Sequence, residues 1–187
     1  MPAPRLAPEI PFPAYSYVTG RFPHPSRDAA GHSFGHQIAM PAALDPSQWQ
    51  DSRDFLHAID LFNYGYYWES HETWESLWHA AGREGVVASL LKGLIKLAAA
   101  GVKAREGRTE GVKRHARRAQ ELFAEVRNEI GAPEFCGLAL DDLIAKADRI
   151  AQNPPIVVMS DLPVVVVFDF TLEPGFTTPQ NVEPDRQ

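Results

Sequence analysis

Val86-Val87-Ala-Ser-Leu90-Leu91-Lys92-Gly93-Leu94-Ile95-Lys96-Leu-Ala98-Ala-Ala-Gly-Val102-Lys-Ala-Arg-Glu106 decides the fold class. Val87, Leu90, Leu91, Leu94, Ala98 and Val102 recur at the three-and-four spacing of one helix face, with Lys92 and Lys96 together on the other. A helix this long and this apolar on one side needs partners to cover it, so it reads as the central helix of an all-α bundle. Working outward, Thr109 opens a helix with Val112, Ala116, Ala119, Phe123, Val126 and Ile130 as its packing stripe and Gly131 as its stop. A further helix runs from about Leu140 to Ala151. Before the central helix, one segment ends near Gly82. Another begins after Asp45-Pro46-Ser47, carries Phe55, Leu56, Ile59 and Phe62, and ends at Asn63-Tyr64-Gly65.

Proline marks the borders. Nine of the 16 prolines precede Ser47, six follow Asn153 and only Pro133 lies between. Because interior proline breaks helices, the expected organisation is an extended arm at 1–46, a bundle of about five helices at 47–153, and a second arm at 154–187. In the second arm, Val164, Val166, Phe168, Phe170 and Leu172 alternate with Val165, Val167, Asp169 and Thr171, a period of two that predicts a half-buried strand. Such a strand must lie along the helical body, pair with Ile156 to Met159, or pair with a second copy of the chain, which makes a homo-oligomer one expected assembly.

The 187 residues suit one domain with a core, at 44% hydrophobic and 22% charged. A net charge of -6 argues against general affinity for nucleic acid or anionic membrane. The single cysteine, Cys136, excludes an internal disulfide and a thiolate zinc site, so a metal here needs imidazole and carboxylate ligands. With no secretory signal and no apolar run of membrane-spanning length recognised, a cytoplasmic location is the expectation.

The chemistry concentrates in Glu69-Ser-His71-Glu72-Thr-Trp74-Glu75-Ser-Leu-Trp78-His79. Helical spacing puts His71 on the side of Tyr67, Trp74 and Trp78, facing the core, with Glu75 one turn on. His71 and Glu75 are the expected ligands of a divalent cation (zinc, iron or manganese), and Glu72 is the expected general base for a bound water, as in the H-E-x-x-H helix. His24 and His32 of the first arm are the further ligands, with His36 and His57 also available. Tyr67, Trp74, Trp78, Lys92 and Lys96 are the expected lining. Glu69, on the opposite face from His71, is excluded as a co-ligand.

The competing reading is a buried polar network in which Glu72 and Glu75 pair with Lys92 and Lys96, in a non-enzymatic interaction module. The two lysines make that network the reading a metal site has to displace. A basic cluster at Lys113, Arg114, His115, Arg117 and Arg118, preceded by Lys103, Arg105 and Arg108, falls on an exposed side. It reads as a solvated face, with Arg114, Arg117 and Arg118 as the alternative anion-binding set.

The pattern Leu61-Phe62-Asn63-x-Gly65-x-Tyr67-x-Glu69-x-His71-Glu72-x-x-Glu75-x-x-Trp78, followed by Gly93-Leu94-Ile95 and Ala98-Ala99-Ala100, resembles the prokaryotic domain-of-unknown-function family 309. The resemblance covers Phe55 to about Val126 and implies a small all-helical protein and a metal-dependent hydrolase activity. Lys92 and Lys96 stand where that family usually carries glutamine, which favours ion pairing over metal binding if both face the site.

Overall fold

The computed structural model describes residues 4–36, 39–157 and 161–176. Five helices follow in order: α1 (Arg53–Asn63), α2 (Tyr67–Ala80), α3 (Gly85–Arg105), α4 (Thr109–Ile130) and α5 (Leu140–Gln152). The all-α expectation holds. The first helix starts later than its sequence signal: Asp45 Oδ1 accepts from the Ser47 amide at 2.8 Å, closing a turn rather than capping a helix. A 3-10 turn at Trp49–Asp51 intervenes, and Ser52 caps α1 through the Phe55 amide. The β structure consists of β1 (Glu134–Phe135) and β2 (Leu138–Ala139), an antiparallel pair. Cys136 and Gly137 join them with φ of 49° and 71°, the positive values that a type I′ hairpin turn requires.

The central helix is α3, packed between α2 and α4, while α5 covers α4 and α1 covers α2. Leu90, Leu91, Leu94, Leu97 and Ala98 are fully buried, each leucine contributing roughly 1.5–3 kcal/mol of burial. Two glycines set how close its neighbours come. A Cβ on Gly93 would lie 2.5 Å from the Phe123 ring of α4, and one on Gly101 would lie 2.5 Å from the Tyr67 ring of α2. By length and composition α3 also qualifies as a membrane span, with a mean hydropathy of 1.6, although Lys92 and Lys96 interrupt its apolar run. In the fold, 61% of that window is buried inside the protein.

Both terminal segments lie along this chain's own helices, held by polar side chains that point out of α1, α2 and α3. Asp60, 1% exposed, accepts the amides of Leu6 and Ala7 at 2.8 Å each. Glu69 accepts the Tyr17 amide at 2.9 Å. Asn63 clasps Leu172 in both directions, accepting from its amide at 2.7 Å and donating to its carbonyl at 2.9 Å. The Tyr67 hydroxyl accepts the Val167 amide at 3.0 Å. Arg105 donates to the carbonyls of Leu162 at 2.8 Å, Pro163 at 3.4 Å and Ser16 at 3.5 Å. The two segments also meet directly, Ser16 N–H donating to Pro163 O at 2.9 Å.

Two expectations change here. The 164–172 segment takes the first of its three alternatives, lying along the helical body, but no β ladder forms there among the described residues. Side chains take its backbone groups instead, and the alternation fails at Val166, which is 54% exposed. Of the alternative partner Ile156 to Met159, residues 158 and 159 lie outside the described stretches. Arg105, grouped by sequence with an exposed basic face, is 2% exposed because three backbone carbonyls replace its water.

Candidate metal centre and the adjoining cavity

The α2 helix carries the candidate centre. His71, Glu72 and Glu75 each offer a ligand atom, and these atoms all lie within 4.8 Å of one another. His71 Nδ1 is 3.3 Å from Glu72 Oε1, and the two side chains are 23% and 52% exposed. Buried His71 Nδ1 makes no hydrogen bond of acceptable geometry. The Trp68 ring stacks on the His71 imidazole, 6.0 Å between centroids and 17° between planes. The imidazole therefore sits at the margin of the core rather than inside it, with Trp68 fixing its plane.

The pairing expected of the lysines is absent: among the described residues no ion pair joins Lys92 or Lys96 to Glu72 or Glu75. Lys92 is exposed, and Lys96 acts on His115 of α4. Trp74 is fully buried and Tyr67 is 1% exposed, so both belong to the core. Burial pushes the Tyr67 phenol up to about 12. Trp78 is half-buried with the Arg83 guanidinium 5.5 Å above its ring.

The arm histidines do not join the triad. His32 Nε2 lies 3.2 Å from Glu69 Oε1 and its Nδ1 lies 2.9 Å from Ser33 Oγ. The His24 ring packs against Tyr17 and Trp68 at 5.0 and 6.0 Å. Both line a cavity of about 450 Å³ between the N-terminal segment and α2, together with Phe12, Trp68, Glu69 and Glu72. Glu72 thus borders the triad on one side and the cavity on the other. His57 also lines this cavity, and burial followed by the Arg5 charge lowers its pKa.

Glu69 was set aside in the sequence because it faces away from His71. That geometry is right, but the other face is covered as well, by the N-terminal segment. The legible signal was an acid with no basic side chain one turn away on a helix of tyrosines and tryptophans, a position that leaves the carboxylate dependent on a distant donor. Asp60, between the apolar Ile59 and Leu61 on α1, is likewise an acid placed in a buried stretch of helix, though His57 stands one turn before it.

The basic residues of α4 separate. Arg114 and Arg117 are exposed, whereas Arg118 pairs with Glu121 at 2.8 Å and Glu125 at 3.2 Å. His115 is half-buried; burial first, then Lys96, Arg114, Lys103 and His71, bring its pKa down from 6.5 to about 4. As pH falls, the unfolded chain takes up a proton at 6.5 while the folded protein resists until about 4, so stability is lost across that window. Between pH 7 and pH 4.5 this amounts to about 1 kcal/mol after allowing for solvent screening of a half-exposed ring. Urea titrations of wild type and His115→Gln at the two pH values check it: the variant should lose about that much less, and an identical loss would remove His115 as the cause.

An all-α bundle with a His/Glu cluster on its second helix defines the class. Residues 55–115 match the family described as Domain of unknown function (DUF309), and over that stretch the chain resembles the family. The match starts at the expected Phe55 and ends at His115, short of the expected Val126. It contains α1 from Phe55 on, α2, α3 and the start of α4, hence the whole triad, and excludes both terminal segments. No curated protein matches the chain.

Proposed function

We propose that His71, Glu72 and Glu75 bind a divalent cation, and that the protein is a metal-dependent hydrolase whose substrate enters the adjoining cavity. The observation that carries this reading is the convergence of the three side chains, with ligand atoms within 4.8 Å of one another, where no lysine neutralises them. A polar network that fixes packing is present in the molecule, but Asp60, Asn63, Tyr67, Glu69 and Arg105 build it. The triad makes none of those contacts, which leaves its unsatisfied imidazole nitrogen for a ligand.

One imidazole and two carboxylates suit zinc, manganese or iron, and three protein ligands leave coordination positions open. A metal in such a site supplies a water of lowered pKa and polarises a carbonyl or phosphoryl oxygen. Glu75 and His71 hold the inner side of the centre. Glu72, half-exposed and reaching the cavity, would hold the ion through one carboxylate oxygen and leave the other placed to accept or return a proton to a substrate there. Trp68 keeps the imidazole plane fixed.

Elemental analysis of the untagged protein, as purified and after dialysis against zinc or manganese, tests the reading. About one equivalent in wild type and essentially none in His71→Ala is the expected result. A wild type that stays folded and metal-free after both dialyses would sink it.

A further inference from the structure

We propose that the cavity between the N-terminal segment and α2 binds a small organic ammonium, a protonated primary amine carrying an apolar group. This goes beyond the metal reading and does not rest on it, since triad and cavity share only Glu72.

Glu69 is 8% exposed, and its two oxygens are treated differently by the fold. Oε1 accepts the Tyr17 amide at 2.9 Å and faces His32 Nε2 at 3.2 Å. Oε2 is buried, and no hydrogen bond reaches it from the described residues. A carboxylate oxygen taken out of water without a donor is costly, and this one belongs to a residue that lines a cavity of about 450 Å³. The missing partner is therefore an N–H or O–H donor supplied by whatever occupies the cavity.

Charge selects among donors. Among the described residues, the only formally charged side chains lining the cavity other than histidine are Glu69 and Glu72, with no lysine or arginine. Two arginines close to Glu69 and Phe12, Arg5 and Arg105, are committed elsewhere. Arg5 serves Asp60 and the carbonyls of Ala7 and Ile10, and Arg105 serves the carbonyls of Ser16, Leu162 and Pro163. An anion would meet two carboxylates, whereas an ammonium gains both a charge-assisted hydrogen bond at Oε2 and the field of Glu72. The rings of Phe12 and Trp68 form an apolar wall for the rest of the molecule; Phe12 already carries the Arg5 guanidinium 3.9 Å from its centroid, which leaves Trp68 as the ring suited to a cation in the cavity. Because Oε2 needs a hydrogen to accept, a quaternary ammonium does not satisfy it and a primary amine does. The volume matches a small molecule rather than a peptide.

Calorimetric titration of chelator-treated protein with benzylammonium, benzyl alcohol and benzoate tests this without any metal, so its failure and that of the metal reading are separate. Saturable one-to-one binding of benzylammonium, with the alcohol and the carboxylate at least ten-fold weaker, is expected. Glu69→Gln keeps an acceptor for the Tyr17 amide while removing the charge, and should weaken benzylammonium at least ten-fold. If that variant does not fold, Glu72→Gln, on a half-exposed side chain, should weaken it several-fold instead. No binding of benzylammonium, equal binding of all three probes, or a folded Glu69→Gln with unchanged affinity would each overturn the proposal.

Discussion

Replacing Arg105 with alanine releases both terminal segments together and lowers stability by roughly 3–5 kcal/mol, a loss of about 10 °C in melting temperature. The guanidinium is 2% exposed and joins the Ser16 carbonyl of one segment to the Leu162 and Pro163 carbonyls of the other. Alanine removes those donors, leaves buried carbonyls unpaired and opens a cavity the size of one of the largest enclosed side chains. Hydrogen exchange locates the effect. The Ser16, Tyr17 and Val167 amides, which bond to Pro163, Glu69 and Tyr67, should lose protection while α4 keeps its own. Arg108→Ala is the control. Its side chain is 68% exposed and, among the described residues, pairs with Glu106, a carboxylate that Lys103 also holds at 2.6 Å, so it should shift stability by less than about 0.5 kcal/mol. Equal behaviour of the two variants would show that the clasp holds nothing.

Gly101→Val is the second large effect, destabilising by about 3 kcal/mol through overpacking. In an unconstrained helix, replacing glycine with alanine gains about 1 kcal/mol. Here the first added carbon meets the Tyr67 ring at 2.5 Å. That ring cannot swing aside, because its hydroxyl holds the Val167 amide at 3.0 Å and its faces pack on Phe62 and Phe168 at 5.3 and 5.2 Å. Steric cost therefore exceeds the propensity gain, and even Gly101→Ala should be a net loss. At Gly111 the first atom met is Cγ of the Lys103 side chain, at 2.9 Å, which has room to move. Gly111→Ala should accordingly cost less than Gly101→Ala. Thermal melts of the three variants decide it, and a Gly101→Ala as stable as wild type would show that α2 and α3 separate freely.

Helices were legible because their signal is local. The stripe on α4 and the apolar face of α3 record burial every three or four residues, and the structure has helices at both places. The start of α1 is ambiguous in the sequence because Asp45 and Ser52 are both good capping residues, and only the fold shows that Ser52 caps the helix while Asp45 closes a turn. The alternation in 164–172 promised a strand, yet a period of two records only an extended backbone with one covered side. Whether a neighbouring strand or a row of side chains takes the hydrogen bonds is not written in the segment itself.

The same division runs through the candidate centre. His71, Glu72 and Glu75 converge because they share one stretch of one helix: Glu75 stands one turn beyond both His71 and Glu72, and Glu72 is the residue next to His71. The separation of the arm histidines from that triad, the burial of Arg105 and the unpaired oxygen of Glu69 depend on chain segments 37 to 89 residues away. The sequence by itself determined the bundle and the triad, through periodicities that a single helix expresses. Only the tertiary structure decided which polar groups clasp the terminal segments and which remain open to a ligand, because a hydrogen bond between distant residues leaves no periodic trace in either of them.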